Sequence, residues 1–234
     1  GSTEITINPS TTLDGSTGYY ITIDASAFDD SSSNSYAGIS DATTLNFTTA
    51  DVAAPTLTSS TPSDGAIAIG VDANLVLTFS EAVDRESGNI TIKKSSDDTT
   101  VETIDVTGAK VTGTGSTEIT INPSTTLDGS TGYYITIDAS AFDDEAGNSY
   151  AGISDKTTLN FETADVAAPT LTSSTPSDNA VAIGADANLV LTFSEVVDRV
   201  SGNITIKKSS DDTTVETIDV TGAKVTGTGS TEIT

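Results

Sequence analysis

Residues 127–138, LDGSTGYYITID, carry the reading that decides the fold. The second half alternates, with Tyr133, Ile135 and Ile137 on one side, which is the period-two pattern of a half-buried strand. The first half sets Leu127, Gly129, Thr131 and Tyr133 in the L-x-G-x-T-x-Y spacing of a tyrosine corner. In that device a phenol near the start of a strand bonds backbone a few residues upstream, at a corner of a two-sheet sandwich. The plainer reading of Tyr133 is an ordinary half-buried aromatic. Either way it is structural, and so is Tyr19, whose neighbours are the same letters.

Outward from this stretch the chain keeps the same rhythm. Thr56–Ser60 reads as a strand ending at the turn Pro62-Ser63-Asp64-Gly65, and Asn74–Ser80 alternates with Leu75, Leu77 and Phe79 on one face. Gly88–Lys94 turns Ile90 and Ile92 inward, and the polar Ser95–Thr100 loop leads to Val101–Val106. Lys110–Thr112, Thr117–Ile121, Gly132–Asp138 and Thr157–Thr163 complete a set of seven or eight short strands. That number in about 110 residues predicts an all-β sandwich with one core between two sheets.

The same letters recur. Residues 1–30 return unchanged at 115–144, and GSTEIT opens a third time at 229, a period of 114 residues. Residues 1–51 differ from 115–165 at five positions, and 52–120 from 166–234 at five more. A unit of 114 residues is too long for a solenoid turn and suits a self-contained domain. TADVAAPT at 49–56 and 163–170, with small residues and a proline unfit for a central strand, reads as the linker. On this division 52–165 is a complete repeat, 1–51 the C-terminal part of a repeat and 166–234 the N-terminal part of the next. The sequence reads as a piece cut from a longer one. Each partial segment would leave strand edges and an apolar face open, so neighbouring molecules are expected to complete each other head to tail.

Composition removes whole classes of function. The chain has 34 Asp+Glu against 9 Lys+Arg, a net charge of −25, and no His, Cys, Met or Trp. A Ser-His-Asp triad, a thiol nucleophile, the usual zinc sites and disulfides are therefore out of reach, and an enzyme is not expected. The charge repels nucleic-acid backbones and anionic lipid heads, and no run approaches the roughly 20 apolar residues of a membrane helix.

Several stretches carry a resemblance: APTLTSSTPSDG (54–65), NLVLTFSEAV (74–83), GNITI (88–92), STEITINPSTTL (116–127) and AGNSYAGISD (146–155). Together they resemble bacterial Ig-like domains repeated in tandem in giant RTX-type surface adhesins of marine Gram-negative bacteria and cyanobacteria. The resemblance implies an Ig-like β-sandwich on the outside of a bacterial cell, in biofilm-type adhesion. The repeats would be extender domains holding a distal ligand-binding tip away from the cell. It also implies calcium, particularly at the joints between domains.

The carboxylates can be read independently of that likeness. Residues 52–165 hold twelve Asp and six Glu against five Lys and Arg, a density that repels itself unless cations bind. Oxygen ligands in abundance without soft ones suit Ca²⁺. In a sandwich of this type the linker, the loop after the second strand and the loop before the last strand share one end. That would gather Asp51 with Glu81, Asp84 and Glu86, and with Asp143, Asp144, Glu145 and Asn148 of FDDEAGN. Asp165 would face Asp64, Asp72, Asp97, Asp98 and Asp128 at the opposite end. In the first copy Ser31-Ser32-Ser33 replaces Glu145-Ala146-Gly147 but Asp29, Asp30 and Asn34 remain, which keeps Asp30 a candidate ligand. FDDEAGN lacks EF-hand spacing, and any one Asp is as readily a turn former or a solvated charge; Asp64, Asp97, Asp98 and Asp155 read that way.

The expected function is a spacer whose joints calcium stiffens. The alternative is a carbohydrate- or cell-binding module, for which Tyr20, Tyr36, Tyr134 and Tyr150 are the available aromatics.

Overall fold

The computed structural model describes residues 3–234; Gly1 and Ser2, the first positions of the 1–51 segment, lie outside them. The chain divides into two compact units, one up to Asp165 and one from Val166 to Thr234. Every regular element of the described residues is a β-strand, and no helix is long and apolar enough to cross a membrane.

The first unit opens with β1 (Gly18–Tyr20) and β2 (Asn46–Thr48), paired antiparallel with Tyr19 opposite Phe47. Then come β3 (Leu57–Thr61), β4 (Ala66–Ile69), β5 (Leu75–Arg85), β6 (Asn89–Lys94) and β7 (Thr100–Asp105). β8 (Val111–Thr112), β9 (Ser116–Ile121), β10 (Gly132–Ile137), β11 (Phe142–Asp143) and β12 (Asn160–Thr163) follow. One sheet runs β4-β12-β10-β6-β7; the other runs β11-β5-β9-β8, with β3 also on β5. The alternating residues read from sequence face each other across the gap. Leu77, Ile90, Ile92, Ile119, Tyr133 and Phe142 are fully buried in one cluster. Burying each such side chain stabilises the fold by about 1.5–3 kcal/mol.

The tyrosine corner is present. The Tyr133 hydroxyl accepts the N–H of Asp128 at 2.9 Å, and the Thr131 hydroxyl donates to the carbonyl of Gly129 at 2.8 Å. Tyr19 accepts the N–H of Asp14 at 2.9 Å in the same way.

Four strands depart from the sequence expectation. β5 does not stop at Ser80, because positions 81, 83 and 85 continue the inward phase. Val83 is core, and the Arg85 guanidinium donates from one Nη to the carbonyls of Val106, Gly108 and Val111. The last strand begins at Asn160, since the Asp155 carboxylate takes the N–H and hydroxyl groups of Thr157 and Thr158 and holds them in a turn. β4 and β11 had no clear signal. β4 is an edge strand, parallel to β12, and leaves Ile67 exposed; β11 is two residues long.

The second unit holds β13 (Leu171–Thr175), β14 (Val190–Val197), β15 (Asn203–Lys207), β16 (Thr214–Asp219) and β17 (Ser230–Ile233). They form a sheet β13-β14-β17 and a pair β15-β16. These repeat β3-β5-β9 and β6-β7 one period on, with Ile204 opposite Ile218 as Ile90 is opposite Ile104.

Candidate metal centre

The inward phase of β5 explains the most unusual carboxylate in the chain. Glu81 stands between Phe79 and Val83 on the face that otherwise enters the core, at the rim of the sandwich. There it meets two acids from other elements. One oxygen each of Asp51, Glu81 and Asp144 lie within 4.8 Å of one another, with Asp144 buried and the other two half-buried. Among the described residues no other group of three acidic side chains comes this close, and none of the ion pairs found there includes a member of it.

Each member is held by local structure. Asp51 lies on the linker, where the N–H of Ser16 donates to Ala50 at 3.1 Å and the N–H of Thr49 to Thr17 at 3.0 Å. Gly15 lies so close to Val52 that a Cβ there would come within 2.7 Å of it, which ties the linker to the preceding segment. The Asp51 carboxylate also accepts the N–H of Ala53 at 3.0 Å. Asp144 sits at the tip of the loop after β11, where its two oxygens accept the backbone N–H and side-chain amide of Asn148, each at 2.8 Å. A carboxylate oxygen so bonded keeps a second lone pair.

Electrostatics sets the three apart. Burial, and then the charges of Asp144 and Asp51, push the Glu81 carboxyl above its ordinary value. Asn148's side-chain amide, outweighing burial with the help of backbone N–H groups, holds Asp144 below its own. The triad thus concentrates negative charge without a counter-charge. Calcium holds oxygens at about 2.3–2.6 Å, so oxygens across the ion stand up to about 5 Å apart. The spacing and the all-oxygen donor set fit that ion.

The remaining sequence candidates lie elsewhere. Asp84 is exposed and accepts the Thr114 hydroxyl at 2.8 Å. Asp143 pairs with Asp84 along β11 and β5, and its Oδ1 is buried with no hydrogen-bond partner. Glu145 is exposed in the turn, and Asn148 serves as the clamp on Asp144. Asp165 is exposed. Asp30 is exposed too, but Asn34 clamps it at the same 2.8 Å distances, and that clamp above all holds its carboxyl low. By the 114-residue period Asp165 corresponds to Asp51, Glu195 to Glu81 and Asp30 to Asp144.

The acids expected at the opposite end each have a partner within the repeat. Asp64 accepts the backbone N–H and the side-chain amide of Asn160, and Asp97 accepts the N–H of Thr99. Asp128 pairs with Lys94 and Asp72 accepts the Thr126 hydroxyl. Asp98, read as solvated, instead takes Lys156 at 2.8 Å and the Tyr134 hydroxyl at 3.1 Å. One acid drew no attention in the sequence. Glu102 is buried and receives Lys110, the N–H groups of Ser124 and Thr125 and the Ser124 hydroxyl. Tyr134 and Tyr150, the aromatics open to a sugar-binding role, are buried in the complete repeat.

A family model of bacterial Ig-like domains matches residues 51–163 and again 165–232. No curated protein matches. Among solved structures, the crystal structure of the S-layer protein rSbsC(31-844) is similar, with 16% identity and a TM-score of 0.33. That likeness covers 74% of this chain and 23% of the S-layer chain, so the chain spans under a quarter of that protein's length.

Proposed function

The chain belongs to the bacterial Ig-like domain family, and from that premise we propose that it is a spacer of a bacterial cell-surface adhesin, outside the cell and without catalysis. Tandem Ig-like repeats project a distal ligand-binding region, and Ca²⁺ at the joints makes the projection rigid. The observation that carries this reading is the meeting of Asp51, on the linker, with Glu81 and Asp144 of the repeat that follows. An ion held by all three would fasten the linker to the domain and remove the hinge between them. Repetition adds length above all: a strand of seven residues spans about 23 Å, and each repeat adds one domain in series.

Calorimetric titration of the 234-residue chain with CaCl₂ tests the site, and small-angle scattering with calcium and then chelator tests its consequence. Saturable binding that Asp51→Asn and Asp144→Asn each weaken, with a longer and stiffer particle in calcium, is expected. Binding unaltered by both substitutions, or a scattering profile indifferent to the ion, would sink the joint-calcium reading.

A further inference from the structure

Residues 52–165 have chain on both sides, through 49–56 and 163–170, so tension along the chain enters at one linker and leaves at the other. The entry linker runs into β3 and then, through residues 62–65, into β4; β12 runs straight into the exit linker. β4 and β12 lie side by side and parallel, with Ala66 opposite Phe161 and Ile69 opposite Thr163. The pull therefore reaches the pair at opposite ends, at Gly65 before β4 and at Ala164 beyond β12. Two strands loaded in that way slide lengthwise past each other, and every bond between them carries force at once. A pair loaded at one end would instead open bond by bond.

The bonds sit where such loading needs them. At one end the N–H of Gly65 donates to the Asn160 carbonyl at 2.8 Å, and at the other the N–H of Ala164 donates to the Ile69 carbonyl at 2.8 Å. Asp64 adds two more, its Oδ1 accepting the backbone N–H of Asn160 at 3.0 Å and the side-chain amide at 2.6 Å. Burial contributes little to this grip, because Ile67 is 74% exposed and Ala66 and Ile69 pack only half-buried against the core. We propose that β4 and β12 are the mechanical clamp of the repeat, which tension shears, and that the Asp64–Asn160 bonds are its fastener. β3 pairs with β5 alone and meets the pull first; once it slides off, the tension passes to β4. β7, at the far edge of the β4 sheet, lies outside this path. The clamp is a property of the fold; its use rests on the spacer reading, since a tethered spacer is pulled along its length.

Single-molecule stretching of the 234-residue chain at constant tension tests this, with the chain held through a cysteine added at each end, unique because it has none of its own. Chelator is present throughout. The parent is expected to extend in one main step that releases the roughly 100 residues between Gly65 and Ala164, about 300–350 Å of chain. Asp64→Ala removes both fastener bonds, and its lifetime under the same tension should fall about tenfold, equivalent to about 1.4 kcal/mol of barrier. Asn160→Ala keeps its backbone N–H bond to Asp64 and should lose less. Glu102→Gln, on β7, should lower the thermal transition yet leave the lifetime within about twofold, because β7 is still in place when β4 slides. A parent that releases this length in several smaller steps overturns the assignment. So does an Asp64→Ala chain that lasts as long as the parent, or a Glu102→Gln chain that fails as fast as Asp64→Ala. The joint-calcium reading stands or falls separately, on the CaCl₂ titration, because the stretching is done without calcium.

Discussion

GSTEIT occurs three times, and its isoleucine is 60% exposed at Ile5, fully buried at Ile119 and 7% exposed at Ile233. Phe161 is 4% exposed and Phe47, its equal one period earlier, 41%. The complete repeat and its flanking segments share their letters and most of their local hydrogen bonds, down to the tyrosine corner. They differ in what stands across the gap. The same letters form a strand at Ser116–Ile121 and Ser230–Ile233 but none over residues 3–7, so strand pairing as well as most of the burial depends on what stands beside and across from each segment.

The widest separation is expected at the core aromatics. Phe161→Ala should cost about 3–5 kcal/mol in urea denaturation. Phe47→Ala should cost under about 1 kcal/mol. Similar losses at both sites would break the comparison, because they would mean that 3–51 is already packed within the monomer.

Glu102 and Glu216 come next. Burial alone would raise the Glu102 carboxyl, but Lys110 and the N–H groups of Thr125 and Ser124 outweigh it and hold the pKa at about 2. A depressed folded value stabilises above the unfolded pKa of about 4.3 and ceases to do so as pH falls towards 2. Glu102→Gln should therefore cost about 1–3 kcal/mol at neutral pH, with the difference from the parent shrinking between pH 4 and pH 2. Glu216→Gln should be near neutral in the monomer, by the same acid titration of thermal stability.

Tyr133→Phe should cost about 1 kcal/mol through the lost acceptor for the Asp128 N–H, and Tyr19→Phe only a few tenths, since water replaces an exposed bond. Thermal melts of the two variants measure both.

The smallest effect has the opposite sign. With chelator present, the raised folded pKa of Glu81 stabilises below the unfolded value and that contribution is lost as pH rises through the folded one. Glu81→Gln should then melt higher than the parent at neutral pH without calcium and bind calcium more weakly. Melts at pH 4 and pH 7, with calcium and with chelator, check both halves. A parent that outlasts Glu81→Gln in chelator would remove the electrostatic case for a cation.

Legibility followed physical range. Strands of four or more residues with alternating Leu, Ile, Phe or Tyr were plain, because a pleated backbone turns every second side chain to one face. Edge strands β4 and β11 were not, since pairing with β12 and β5 makes them and their own residues do not. At the acidic end, one Asp looks like another along the chain. The sequence placed eight candidates at this joint, and the structure joins three of them. Asp143, Asp144 and Glu145 are consecutive, yet Asp144 alone is turned into the group, by Asn148.

By itself, then, the sequence determined the 114-residue repeat, the all-β sandwich, the inward residues of its long strands and the tyrosine corner, all of which rest on spacing along one chain. Only the tertiary structure decided that Asp51, Glu81 and Asp144 meet while Asp84 and Glu145 turn away, and which copy of each isoleucine is dry. Coulomb energy and burial depend on distances in space, and residues far apart in sequence acquire those distances only when two sheets close on each other.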